Sequence, residues 1–441
     1  MEHWFRTYRQ CRNRMGRAIG SHRVISLAIV VLCLITPLLA QEGRIIELKS
    51  ADLYHVKVVK DQEVRVLIGN VHFIQRAPEE TIEAWCDTAF QYMDENRMEL
   101  FGKVKIIRDS VVLYAPEGEY FGNDRRAEMK KHVRLEKGKI TLTAAYGEYY
   151  VREKRAHFSG NIHVVDSTSS TDCNDLVFFE EEEKSIAVRN VKVYSPENNL
   201  TILGDSLVHF SQRQYSLMLK NPLMIQIDTS SAGVLDTLLV SGKVMEAYRD
   251  STQRFIVRDS VEMIRSDFAS RAGFVVYYLK DDHIALRNSP ILWQGESQVT
   301  GDSIDIILKK RRLEKVTIRG RSMALSQSDS IQVQRYDQLT AREMTMYFER
   351  NKLQRIEADR TATSLYYVYE KGESNGANRS SGDRIIIEFN DGKSESIRII
   401  KGVEGRYLPE SQIANHERDY QLDGFRLIPN RPRRVKLQIV H

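Results

Sequence analysis

The chain has 441 residues, with 65 Lys and Arg against 60 Asp and Glu, and four cysteines. Six Arg and one Glu fall within residues 1–40, so residues 41–441 contain 59 basic and 59 acidic side chains. Because this part of the chain is neutral, its charge gives no reason to expect binding to nucleic acid, and we exclude nucleic acid as a partner.

Residues 1–40 have the pattern of a secretory signal. Six Arg precede an apolar run over residues 24–40, which ends at the suitable cleavage site Leu38-Leu-Ala40. The run is a little short for a membrane span of about 20 residues, and Pro37 favours cleavage. We therefore expect an exported protein, with a retained membrane anchor as the alternative. Cys86 and Cys173 remain after cleavage and could pair, but both lie in alternating runs where any small apolar residue would serve.

From Arg44 to Thr361 almost every segment has the composition of a short β-strand. Runs such as Val111–Tyr114 and Phe274–Tyr278 are rich in β-branched and aromatic residues, and short polar turns such as 122–125 separate them. No segment is a convincing amphipathic helix, although residues 80–90 fit a helix or a strand. The sequence predicts an all-β fold.

A repeating unit is superimposed on these strands. In Met98–Ile106 the apolar residues and Gly102 occupy alternate positions, as in a strand with one apolar face and a bulge, a bend or a close backbone approach at the Gly. Similar patterns occur at residues 66–73, 156–164 and 238–244. The common interval of about 30 residues is typical of repeat architectures. We expect two strands per unit, stacked as antiparallel hairpins.

Stacked units would place their apolar rows side by side as a continuous lining. The residues that we expect in this lining are Met98, Leu100, Val104, Ile106, Val133, Leu135, Phe158, Ile162, Val164, Ile186 and Val188. The lining could be the closed core of a β-sandwich or a partly open groove for acyl chains. The residues alone favour the closed core, because any sandwich would show this pattern.

Motifs for catalysis and for cofactor or metal binding are missing from the sequence. We find no phosphate-binding Gly loop, no Gly-x-Ser-x-Gly elbow and no His-Glu-x-x-His motif. His157 and His163 alternate with apolar residues and are expected on the outer face of their strand. We therefore expect a protein that is not an enzyme, with no cofactor and no metal.

Composition divides the chain into four parts. Residues 1–40 are the signal, and the polar stretch Asp228–Gly233 separates a first lobe, residues 41–228, from a second, residues 234–404. Residues 371–382 are expected to form a loop. Residues 405–441 are a polar tail whose basic cluster, Arg431–Arg434, is expected to be solvated.

The phrases at residues 100–106, 144–149 and 158–164 resemble those of the OstA-like, or LptA-like, family of lipopolysaccharide transport. The resemblance is clearest over residues 44–227 and looser through residue 402. It implies an open, V-shaped β-jellyroll whose apolar interior holds the acyl chains of lipid A. Modules of this kind join end to end as a bridge from the inner to the outer membrane, and this chain, at about twice the single-module length, is expected to form two stacked lobes.

The resemblance implies a periplasmic, non-enzymatic carrier with three kinds of partner. These are lipopolysaccharide, the other jellyroll components of the transport machinery, and further copies of the chain in a head-to-tail oligomer. Two alternatives stay open. One is a structural or adhesive exported β-repeat protein with a closed core, and the other is an anchored inner-membrane component of the same machinery.

Overall fold

The computed structural model describes residues 46–59, 62–76, 81–229, 235–328, 334–370, 372–390 and 393–434. The signal predicted over residues 1–40 lies outside these ranges, as do residues 230–233 of the predicted boundary. Of the helices in the described part of the chain, none combines the length and the hydrophobicity that a membrane span requires.

The described residues form 28 strands, one short α-helix and one 3-10 turn. The first fourteen strands are β1 Ile46–Ser50, β2 Leu53–Val59, β3 Gln62–Arg76, β4 Thr81–Tyr92, β5 Arg97–Arg108, β6 Val111–Phe121, β7 Arg126–Lys137, β8 Ile140–Tyr150, β9 Arg155–Val165, β10 Ser170–Phe179, β11 Lys184–Ser195, β12 Leu200–Phe210, β13 Tyr215–Leu219 and β14 Leu223–Thr229. The remaining elements are β15 Leu235–Ser241, β16 Val244–Tyr248, β17 Arg254–Ile264, β18 Ala269–Tyr278, β19 His283–Arg287, β20 Ile291–Gln294, β21 Ser297–Thr300, β22 Ser303–Lys309, β23 Arg312–Gln327, β24 Tyr336–Glu349, β25 Lys352–Glu370, β26 Glu373–Asn390, β27 Lys393–Ile400, β28 Glu404–Leu408, the helix α1 Glu410–Ile413 and the 3-10 turn Glu417–Tyr420.

All 28 strands belong to one antiparallel sheet. From β3 to β12 each strand pairs with the next as a hairpin, and the polar turns lie where the sequence predicts them, for example at residues 122–125. The segment that fits a helix or a strand forms β4. The predicted all-β fold of stacked antiparallel hairpins, consistent with a β-jellyroll, is confirmed.

Each long strand bends near its middle, where the pairing register shifts. In β5 the shift falls between Phe101 and Val104, and both residues between them have positive φ, +74° at Gly102 and +45° at Lys103. Gly102 has no room for a Cβ, because a carboxylate oxygen of Asp87 lies 2.4 Å from that position. Left-handed pairs recur at residues 131–132, 160–161 and 189–190. The bend predicted at the Gly is confirmed, and its regular recurrence reflects the predicted repeat.

The bends divide the sheet into two limbs. Limb A contains residues 97–101 of β5 and their equivalents, and limb B contains residues 104–108 and theirs. In some units the bend breaks a strand into two shorter ones, so that β13 in limb A and β14 in limb B both pair with β12. The short strands β2, β16, β19, β22 and β27 belong to limb A, and β1, β15, β20, β21 and β28 belong to limb B.

The sheet is continuous across the boundary predicted near residues 228–233. In limb B, β14 pairs with β15 from Leu223 to Thr229, and in limb A, β13 pairs with β16. One hydrophobic cluster extends from Leu67 to Ile385, on both sides of that boundary. The backbone and the core therefore show no break between the two predicted lobes, and the division at residues 228–233 stays a prediction.

Residues 373–382, predicted as a loop, instead form the first half of β26. Ala377 is fully buried, and its backbone pairs with Tyr367 on one side and Leu408 on the other. Gly376 has φ +102°, and a Cβ there would lie 2.1 Å from the carbonyl oxygen of Leu408. The small, polar composition that suggests a loop thus permits close packing of β28, and the loop prediction is wrong.

The C-terminal tail, residues 409–434, lies along the outer face of limb B. Ile413 and Leu422 pack with Leu325, Leu365 and Tyr367 in a second hydrophobic cluster. The side chain of Gln298 donates to the carbonyl oxygen of residue 426 and accepts from the amide of residue 428, each at 2.8 Å.

The basic cluster at the end of this tail also meets the sheet. Arg431 donates to the carbonyl oxygen of Gly295, and Arg434 lies 3.8 Å from the carboxylate of Asp236. Arg433 and Arg434 are nonetheless exposed, as expected for a solvated cluster, whereas Arg431 is partly buried.

Candidate functional site

Limbs A and B face each other across an apolar cavity of about 610 Å³. This volume lies within the range of roughly 300–1,000 Å³ that is typical of small-molecule sites. The limb B wall consists of aliphatic side chains on neighbouring strands, which are Ile106, Leu113, Leu135, Leu142, Val164 and Val193. Most of these are only partly buried, because the cavity separates them from the opposite limb.

The limb A wall alternates large rings with small side chains. Successive cross-strand partners along this wall are Tyr120, Ala127, Tyr149, Ala156, Phe178, Ser185, His209, Ser216 and Ala247. All of them line the cavity. A small residue on every second strand leaves space that a Leu or Ile would fill, so side-chain size accounts for the empty volume between the limbs.

The cavity ends where the small residues end. Beyond Ala247 the same row continues with large side chains only, which are Phe255, Tyr277, Ile284, Ile306, Val316, Met346 and Ile356. Ile284, Ile306 and Val316 are 0% exposed. The second half of the sheet therefore has a closed core where the first half has a cavity.

A hydrogen bond between the limbs marks this end. The hydroxyl of Tyr277 in limb A donates to Oε1 of Gln226 in limb B over 3.2 Å. Burial raises the pKa of Tyr277 to about 12, so the hydroxyl stays protonated and remains a donor. Packed side chains and this bond together form a wall across the interior.

The structure brings most of the predicted lining residues together. Seven of them line the cavity, which are Met98, Leu100, Ile106, Val133, Leu135, Phe158 and Val164. Val104 and Ile162 are buried at the bends, at the base of the two limbs, with 1% and 2% exposure. They support the cavity without forming its surface.

Ile186 and Val188 do not lie on the cavity wall. They alternate along β11 with Ser185 and Ala187, which do line it, and Ile186 instead pairs with Val177 and Val208. Hydrophobicity alone selects the wrong face of this strand, because the cavity requires small side chains here. The residues of β11 that line the cavity are therefore Ser185 and Ala187, rather than the predicted Ile186 and Val188.

Small residues are the part of the site that sequence reasoning missed. Ala127, Ala156 and Ser185 recur at the interval of the bends, and this spacing is a signal that could have identified them.

The same interval explains the positions of the cysteines. Cys86 and Cys173 occupy the positions of Ala115 and Ala144 in their own repeats, and both are free and buried. Burial raises the pKa of each thiol to about 12, which leaves them unreactive.

Side chains from the two limbs meet at the mouth of the cavity. Arg108, at the limb B end of β5, donates to the hydroxyl of Tyr149 and to the carboxylate of Glu180, both at limb A ends. The Tyr149 hydroxyl donates to the same carboxylate over 2.8 Å. We call Arg108, Tyr149 and Glu180 the mouth cluster. A second contact between the limbs joins Arg249 to the hydroxyl of Thr168 over 3.1 Å.

Polar side chains elsewhere in the described residues do not form a metal site. No three His, Cys, Asp or Glu side chains in that part of the chain are grouped so that they could hold a metal ion. His163 pairs with Asp172 at 2.6 Å, and both side chains are largely exposed. The apolar cavity and its polar mouth are therefore the candidate site.

The comparisons with known proteins agree with this geometry. A model of the family described as OstA-like protein matches residues 43–203, the part of the chain that builds most of the cavity. No curated protein matches the sequence.

Proposed function

Because a model of the OstA-like family matches residues 43–203, we propose that the protein is a non-enzymatic lipid carrier. It binds the acyl chains of lipopolysaccharide in the cavity and passes the lipid across the periplasm towards the outer membrane. The observation that supports this proposal is the apolar cavity between the two limbs, with its alternating small residues on one wall and aliphatic residues on the other.

The physical basis is the cost of exposing acyl chains to water. That cost is about 0.8 kcal/mol per methylene group, so a lipid crossing an aqueous compartment needs an apolar surface along its route. The aliphatic limb B wall and the ring edges of limb A provide such a surface. Binding of this kind requires no cofactor and no bond-making residue.

The free edges of the sheet support the proposed partners. Within the described strands, β2 pairs only with β3, and β27 and β28 pair only with β26. Leu53 and Val58 on β2 are 53% and 72% exposed, and Tyr407 on β28 is 49% exposed. Unpaired edge strands accept further strands, so we propose that other jellyroll components, or head-to-tail copies of this chain, add at these edges.

The two halves of the sheet have different roles in this proposal. Residues 41–228 form most of the lipid-binding cavity, and residues 234–404 form a lobe that completes its end with side chains such as Ala247 and Phe255 and supports it with a closed core. Of the predicted tail, residues 405–408 belong to β28 of the sheet, and residues 409–434 pack on the outer face of the second lobe. The packed wall at Tyr277, within the second lobe, closes the cavity at that end, so lipid enters and leaves through the mouth or past the β1 and β2 end.

Photo-cross-linking in cells tests the proposed function. A cross-linking residue at Leu135 or Val164, on the partly buried wall, is expected to capture lipopolysaccharide. The matched controls are Arg134 and His163, one residue away on the outer face and largely exposed. Equal adducts at wall and control positions, or none at any position, would contradict the proposal. The second result would favour the structural or adhesive β-repeat protein.

A further inference from the structure

The mouth cluster joins two limbs that are distant in sequence. Arg108 and Glu180 are 72 positions apart, and the side chains of both are mostly shielded from solvent. Arg108 contributes to the cavity lining together with Tyr149 and Glu180. A cation thus sits where the apolar interior opens to water.

The electrostatics show that the three groups hold each other in fixed charge states. Burial alone would raise the pKa of Glu180, but hydrogen bonds from Arg108 and Tyr149 hold it below its usual value. Burial raises the pKa of Tyr149 to about 12; Arg108 acts against that shift and the Glu180 carboxylate adds to it. The cluster is therefore one guanidinium shared between a neutral phenol and an ionised carboxylate.

A second cation lies at the same mouth. Lys137 is one repeat after Arg108, at the limb B end of β7, and it also lines the cavity. Its ammonium lowers the pKa of Glu180 through charge alone, and the residue is exposed. Two cations, Arg108 and Lys137, thus lie around the Glu180 carboxylate above an apolar interior, and Arg249 is a further cation among the residues that line the cavity.

We propose, on the basis of the carrier function above, that Arg108 and Lys137 bind the anionic headgroup of the amphiphile whose chains enter the cavity. A guanidinium presents paired donors that match the oxygens of a phosphate or a carboxylate. Glu180 occupies these donors in the structure described here. The headgroup displaces Glu180 from Arg108, so binding of the lipid opens the contact between the limbs.

Three amphiphiles with the same twelve-carbon chain test the assignment. Dodecyl phosphate is anionic, dodecyl maltoside is neutral and dodecyltrimethylammonium is cationic. Titration calorimetry on the full chain, below the critical micelle concentrations, measures their affinities. Dodecyl phosphate is expected to bind most tightly, and its advantage should decrease with added salt because screening weakens exposed charge pairs.

Two variants of the cluster should have opposite effects. Arg108→Gln removes a charge-assisted bond and is expected to weaken dodecyl phosphate about tenfold. Glu180→Gln removes the competing carboxylate and is expected to tighten it by a similar factor. For both variants the affinity for dodecyl maltoside should change less than that for dodecyl phosphate, because a neutral headgroup does not pair with a guanidinium. Lys105→Gln, on the outer face of β5, is the control for a general loss of positive charge.

Changes of the same sign for both variants, or equal changes for all three amphiphiles, would overturn the headgroup assignment and leave the carrier function in place. Loss of binding by Lys105→Gln to the same degree as by Arg108→Gln would also overturn it. Failure of the unmodified protein to bind any of the amphiphiles would overturn both proposals. Urea unfolding of each variant, compared with the unmodified protein, shows whether a change in affinity comes from lost structure.

Discussion

A pair of Leu/Ile-to-Asp substitutions distinguishes the open half of the sheet from the closed half. Leu135 lies on the cavity wall and is partly buried, whereas Ile306 is 0% exposed between Ile284 and Val316. Leu135→Asp and Ile306→Asp therefore place the same charge in two environments. We expect the first protein to fold and the second to unfold or to lose most of its stability.

The magnitudes follow from burial. Ile306→Asp loses about 2–5 kcal/mol of packing and adds the several kcal/mol that an unpaired buried carboxylate costs. The sum is comparable to the whole stability of an ordinary domain, about 5–15 kcal/mol. In Leu135→Asp the carboxylate can stay hydrated in the cavity. The free energy of unfolding is therefore expected to fall by only about 1 kcal/mol, a part of the stabilisation that a fully buried Leu side chain contributes.

Binding should show the reverse order of sensitivity. A hydrated carboxylate at Leu135 would keep about three methylene groups of a ligand from the wall, a loss of about 2.4 kcal/mol, or about 60-fold in affinity. Urea unfolding measures the stability of each variant, and titration with the neutral dodecyl maltoside measures binding without a charge effect. Leu135→Ala is the size control. Unfolding of Leu135→Asp, or unchanged affinity in a folded Leu135→Asp protein, would refute the assignment of this wall to an acyl-chain site.

Two further predictions concern buried polar groups near the C-terminal tail. Burial raises the pKa of Asp337 to about 7. Between about pH 4 and pH 7 the Asp337 carboxyl is therefore protonated in the folded protein and ionised in the unfolded chain. The free energy of unfolding should fall by up to about 4 kcal/mol as the pH rises through this range. Asp337→Asn should remove this fall, so its urea unfolding should match the unmodified protein at pH 4 and exceed it at pH 8; parallel pH profiles would count against the prediction. Arg335 is 1% exposed and pairs with Glu410 at 2.7 Å and Glu417 at 3.0 Å, so Arg335→Met should leave both carboxylates without a cation. Ser374 still donates to Glu410 and both carboxylates are partly exposed, so the substitution should cost about 1–3 kcal/mol of stability and release the tail. Limited proteolysis should then cut within residues 409–420 while the sheet stays intact, and an uncut tail would show that other contacts hold it.

The strands, their antiparallel pairing and the bend at Gly102 could be predicted from the sequence, because they follow from local patterns. Alternation has a period of two and polar turns interrupt it, and both signals lie within a few residues. The face of β11 could not be predicted in the same way. Its apolar residues Ile186 and Val188 point away from the cavity, and Ser185 and Ala187 point into it.

Long-range contacts account for the other differences. Arg108 and Glu180 meet because the two limbs fold over each other, and nothing near either residue indicates this pairing. The same holds for β26, whose Gly, Ser and Asn residues suit a loop until β28 packs beside Ala377. Patterns in the sequence thus predict the sheet, whereas contacts between its limbs determine the mouth of the site.

Side-chain size explains how one repeat forms both a cavity and a closed core. Backbone pairing along limb A is unbroken from Tyr120 to Ile356, so the sheet itself does not differ between the halves. What changes after Ala247 is that no small residue interrupts the row, and from Ile284 onward each side chain in the row is buried. The length of the cavity is then set by how many repeats keep a small residue. A carrier with a longer or shorter groove would need substitutions at these positions only, with no change in strand number.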